Sequence, residues 1–130
     1  MDKHRMSRRA LLAGTAAAGV LAAGNAAAHH GWAWTEGEPY TLTGIIENIY
    51  LGNPHSALKV RAEDGVWDVD LAPPARTAHA GFDENAAKVG DEVTCIGFRA
   101  QDPNDKHMKA ARVIVNGKTY DVYPERVPQT

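Results

Sequence analysis

Beyond residue 28 the chain carries five histidines, His29, His30, His55, His79 and His107, and neutral imidazole is the side chain most used to hold copper, zinc or nickel. Two of them adjoin a run of small residues, Ala26-Ala27-Ala28, that ends like an export-signal cleavage site. Cleavage after Ala28 makes His29 the new amino terminus, where the free amine and the His29 Nδ1 can chelate one ion together. Cleavage one residue earlier makes His30 the third residue and cleavage two earlier makes His29 the third, and amine, two amides and imidazole then suit square-planar Cu(II) or Ni(II). Each of these cuts leaves a copper-competent terminus.

A second group lies in two loops. His55 follows Asn53-Pro54, and His107-Met108 end the segment "DPNDKHM". Two imidazoles and a thioether form a ligand set that suits copper, with methionine favouring Cu(I). His79 sits on a candidate helix and reads as a surface residue. Trp32 and Trp34, spaced by two, read as an anchor for the amino-terminal arm against the barrel wall.

Residues 1–28 order themselves as a secretory signal. Lys3, Arg5, Arg8 and Arg9 form a basic start, and a Leu/Ala/Gly-rich run follows from Ala10 to Ala23. That run is too short and too rich in alanine for a membrane span, which needs about 20 strongly apolar residues. "SRRALL" at 7–12 has the form of a twin-arginine export motif, an address read by a receptor. The expectation is a soluble periplasmic protein with no membrane segment once the signal is removed.

What remains, residues 29–130, is one domain with one modest core. It holds ten basic and fifteen acidic residues, a net charge of −5 with histidine neutral. An acidic domain without a basic cluster is a poor nucleic-acid binder. The single cysteine, Cys95, allows no intrachain disulfide and reads as a buried small hydrophobe on the face shared by Val93 and Gly97.

The elements that must position the histidines are strands. "YTLTGIIENIYL" (40–51) is a long β-rich run, and Gly44 within it predicts a bulge or bend. "HSALKVRA" (55–62) and "VWDVDL" (66–71) alternate around a turn at "EDG", with Trp67, Val69 and Leu71 facing inward and Asp68 and Asp70 outward as solubilising charge. Pro73-Pro74 open a short helix over about 74–80 that Gly81 stops. "DEVTCIGFRAQ" (91–101) and "HMKAARVIVNGKTYDVY" (107–123) supply the last strands, the latter turning at Asn116-Gly117. Three strands, a helix and further strands in about 100 residues predict an all-β OB-fold-like Greek-key barrel with one short helix between strands 3 and 4. In that fold the β1–β2 and β4–β5 loops are expected at one rim, gathering His55, His107 and Met108. His29 would have to run back along the barrel to join them.

"AHH" (28–30), "LTG" (42–44), "NPH" (53–55), Trp67 and "VGDEVTCIGFRAQD" (89–102), in this order, resemble a family of small exported bacterial proteins catalogued only as a domain of unknown function. That family usually has a tryptophan where this chain has Phe82. The resemblance implies an exported OB-like domain and supplies no activity.

No phosphate-binding glycine loop, G-x-S-x-G or H-E-x-x-H motif is present, so an enzyme is not expected. The residues point instead to a periplasmic copper-binding protein that buffers or delivers the ion through His29, His30, His55, His107 and Met108, zinc and nickel being served by the same ligands. The competing expectation is a metal-free module that docks a periplasmic partner protein through its barrel face or its tryptophan-bearing arm.

Overall fold

The computed structural model describes residues 31–129. The export signal expected over residues 1–28 and the candidate ligands His29 and His30 lie outside the described residues. Residues 31–34 form a turn in which the Trp34 indole N–H donates to the Gly31 carbonyl at 3.1 Å. The barrel unit begins at Thr35.

Its elements are β1 (Tyr40–Tyr50), β2 (Ala57–Ala62), β3 (Gly65–Asp70), α1 (Pro74–His79), β4 (Glu92–Arg99), β5 (His107–Val115), β6 (Lys118–Asp121) and a 3-10 turn at Pro124–Arg126. The sheet order β3-β2-β1-β4-β5-β6 is closed by a parallel pairing of β3 with β5. The first five strands therefore make a closed OB-like barrel, with one short helix between β3 and β4 as the sequence predicts. β6 extends β5 as a hairpin. Asn116 and Gly117 both have positive φ there, the requirement of the two-residue turn that matches strand twist.

Alternation builds the core. Leu58 and Val60 of β2, Trp67 and Val69 of β3, Val93 and Cys95 of β4, and Met108, Ala110 and Val113 of β5 are all buried together. Burial pushes the Cys95 thiol up to about 12. Leu71 and Phe82, from the segments flanking α1, complete the same core, where the Phe82 ring meets Tyr120 edge-on at 5.4 Å. Tyr40 stacks on Trp67 at 5.2 Å, and the Arg99 guanidinium lies 4.9 Å from the Trp67 ring. α1 has Pro at its first position and ends where Gly81 takes φ +97°, and His79 is exposed.

Two backbone features differ from the expectation. The irregularity in β1 falls between Ile46 and Asn48 rather than at Gly44. Gly44 serves another need: a Cβ there would run into the Arg61 carbonyl of β2, so the glycine permits the close passage of two strands. Gly97 plays the same part opposite β5, facing Lys109 and Ala110 where the β4–β5 register shifts by one residue.

Candidate functional site

The strand register decides where the histidines go. The β4–β5 connection lies beside the entry to β1, because Thr35 bridges Ala100 and the Gln101 amide donates to the Thr35 carbonyl. The β1–β2 connection follows the other end of β1. The two loops thus start from opposite ends of the eleven-residue β1, where Tyr40 pairs with Gly97 and Tyr50 pairs with Ala57.

His55 and His107 nevertheless meet, through β3. Ser56 extends the β2–β3 ladder by one step, its N–H donating to Ala72 O and its carbonyl accepting from Leu71 N–H. That step holds His55 beside the carboxyl end of β3, where Asp70 pairs with Ala57. Asn53-Pro54, the turn immediately before, is joined by a cis peptide bond. On the other side β5 begins at His107 in parallel register with Asp68, and the Lys106 carbonyl accepts from the Asp68 N–H. Asp70 is two residues beyond Asp68 on the same face.

One carboxylate oxygen is the meeting point. Asp70 Oδ2 lies 2.9 Å from His107 Nε2 and 3.9 Å from His55 Nε2. His107 Nδ1 faces Asp105 Oδ2 at 3.9 Å. Asp70 is only 8% exposed, so the solvent-facing role expected of it is overturned. Alternation does set its side chain opposite Val69. That outer face is, however, covered where β5 closes the barrel and His107 lies across it. Asp70 is thus the functional candidate that the sequence reading missed. Its only local cue is its place at the last position of β3.

Proton positions follow from these partners. A carboxylate only accepts, so His107 Nε2 carries a hydrogen and donates it to Asp70. Burial pulls the His107 pKa down. The Asp70 hydrogen bond and charge, helped by Asp105 and Asp68, outweigh it and hold the imidazole above its usual pKa. His55 Nδ1 is 3.1 Å from the Ser56 carbonyl and donates to it, which leaves Nε2 as the ring nitrogen that faces Asp70. Lys109 is next on this face of β5; burial lowers its pKa, and its ammonium lies 5.3 Å from the Tyr123 ring. Arg76 of α1 lies 4.5 Å from the same ring.

Met108 is not brought to this cluster. It is fully buried in the core because alternation along β5 sends it to the face opposite His107. Two imidazoles and a carboxylate remain, donors that suit Cu(II) or Zn(II). Bond lengths of about 2.0–2.2 Å put adjacent ligand atoms about 2.9–3.4 Å apart. The Asp70–His107 pair meets that spacing, and the His55 separation exceeds it by about 0.5–1 Å. In their present positions, no group of three or more His, Cys, Asp or Glu side chains among the described residues is arranged to hold a metal ion.

No curated protein matches the chain in sequence. Among solved structures it is similar to the ZRD-deleted mutant of TiaS in complex with agmatine, with a TM-score of 0.50 and 14% identity over 71% of this chain and 28% of that one. At that identity the likeness is one of fold alone. A family model matches residues 18–109, most of the chain, a range that contains "NPH" and the His107-bearing start of β5. By that match the chain belongs to the family of unknown function DUF6152.

Proposed function

We propose that the protein is an exported periplasmic metal-binding module whose ion, copper in the first instance, is held by His55, Asp70 and His107, while His29 or His30 with the terminal amine offers copper ligands at the amino terminus. The observation that carries this reading is the convergence of both Nε2 atoms on one oxygen of a buried carboxylate. Such a set offers an ion two neutral nitrogens and one anionic oxygen once the His107 proton is displaced. His55 moves by under about 1 Å to complete the spacing. His55 is supported from behind by the Ser56 carbonyl, the outer-sphere contact that fixes a ligand histidine's tautomer. Binding and handing over the ion, rather than catalysis, suits a domain this small.

The test uses the natively exported, untagged protein. Intact mass fixes the amino terminus, and Cu(II) titration followed by absorbance and native mass spectrometry fixes stoichiometry and affinity. One copper per chain is expected, weakened tenfold or more by His55→Ala or His107→Ala. A correctly cleaved chain that binds copper no better than its denatured form sinks the proposal. The metal-free docking module then takes its place, supported by the large side chains Tyr50 and Leu51, which stand exposed at the end of β1.

A further inference from the structure

On the other side of the Ser56 step lies a cavity of about 190 Å³, between the β1–β2 connection and α1. Leu51, Pro74 and Phe82 give it apolar walls, Ser56 lines its depth, and Asp83 and Glu84 line it with acid. Phe82 and Ser56, 1% and 0% exposed, form its buried floor, while Asp83 and Glu84 are exposed at its mouth.

Ser56 is the informative residue. Its backbone N–H and carbonyl are both committed to the β3 extension. Its hydroxyl, fully buried, has no hydrogen-bond partner among the described residues. Buried hydroxyls are nearly always bonded, and an orphan in a cavity wall marks a place where something else supplies the partner. The neighbouring Thr77 hydroxyl shows the contrast, since it donates to the Ala72 carbonyl at 2.8 Å and is accounted for.

We infer that this cavity is a binding site for a short aliphatic ammonium compound with a polar far end, such as an amino alcohol. The far end bonds the Ser56 hydroxyl, the methylene chain lies against Leu51, Pro74 and Phe82, and the ammonium faces Asp83 and Glu84. The size sets the class: at about 30 Å³ per water, the cavity takes roughly six water-sized groups, well below a drug-sized ligand. Asp83 keeps a free carboxylate oxygen for this purpose, because only Oδ1 caps the Asn85 N–H.

The experiment is a titration of the metal-free mature protein with 4-aminobutan-1-ol, followed by amide chemical shifts, so that copper plays no part in it. Saturable shifts at Ser56, Thr77 and Phe82 are expected, weakened at least fivefold by Ser56→Ala and, independently, by Asp83→Asn with Glu84→Gln. The acidic pair is exposed, so its variant keeps the fold even if Ser56→Ala does not. Shifts that never saturate, equal affinity in both variants, pentan-1-ol binding as tightly as the amino alcohol, or a crystal soaked with the probe that shows only water on Ser56 would each overturn the assignment.

Discussion

Replacing Asp70 with asparagine separates charge from shape at the seam between β3 and β5. The side chains are nearly isosteric, so packing is kept and the charge that holds the His107 proton is lost. In the native protein the His107 pKa stands above its unfolded value of about 6.5: burial, the largest single influence, opposes the rise, and the Asp70 hydrogen bond and charge, with Asp105 and Asp68, together outweigh it. A raised pKa stabilises the fold fully below the unfolded pKa, and that contribution disappears as pH rises through the folded pKa. A hydrogen bond between charged groups is worth about 1.5–3 kcal/mol, and a neutral one about 0.5–1.5. The His107 side chain is 16% exposed and that of Asp70 11%, so solvent screens the pair only in part. Asp70→Asn should therefore cost about 2 kcal/mol at pH 5.5 and about 1 kcal/mol or less at pH 9. For a domain of this size, about 2 kcal/mol corresponds to roughly 8–16 °C in Tm. Urea denaturation at pH 5.5, 7 and 9, with the His107 ring titrated by NMR in both proteins, measures this directly. In the variant burial is left to dominate, and the ring's pKa should fall. A destabilisation equal at all three pH values, or a His107 titration that does not move, would refute the argument.

The remaining expectations concern separate features. Copper affinity should rise about tenfold per pH unit below the His107 pKa, because one proton must leave that ring, and should flatten above it; titrations from pH 5 to 8 show the slope. Met108→Leu, a near-isosteric core change, should cost less than about 1.5 kcal/mol and leave copper stoichiometry and affinity untouched; a lost copper site would place Met108 among the ligands. Gly97→Ala sets a methyl against the Lys109 carbonyl and should cost at least about 3 kcal/mol in urea melts, far above an ordinary surface change. Cys95, with its thiol pushed up to about 12, should react with iodoacetamide at pH 8 only at the rate at which the barrel opens, so labelling should track urea-induced unfolding.

Much of the fold is written in short-range pattern. The alternation in β2 and β3 assigns Leu58, Val60, Trp67 and Val69 to the core, Pro73-Pro74 at the start of α1 and Gly81 after it bracket the helix, and Asn116-Gly117 marks the last hairpin. What local pattern cannot carry is which outer faces become covered. Asp68 and Asp70 share one face and one residue type, yet Asp68 pairs with Lys59 at an exposed position while Asp70 lies under His107. The difference arises from the β3–β5 pairing, between residues almost forty positions apart. Gly44 and Gly97 show the same limit: the backbone carbonyls that exclude a side chain at these positions belong to β2 and β5, far off in sequence. The meeting of His55 and His107 was expected from the loops that carry them, and the register of β3 between the ends of those loops produces it.

That seam is also where the barrel is held most lightly. β3 and β5 pair over three residues, Asp68 to Asp70 against His107 to Lys109, whereas β1 and β4 pair over six. The Asp70–His107 contact crosses this closure, so it adds a charged tie where the backbone ladder is shortest. A metal ion at Asp70, His107 and His55 would take the place of the proton without cutting the tie, since it bridges the same two strands and adds the start of β2. Loading and unloading would then leave the barrel closed, and the two states would differ in how firmly β5 is fastened. The same geometry explains why stability and binding cannot be read independently at His107. A substitution there removes a ligand and loosens the closure together, whereas Asp70→Asn at high pH, with the proton already gone, leaves the closure nearly intact and tests the ligand alone.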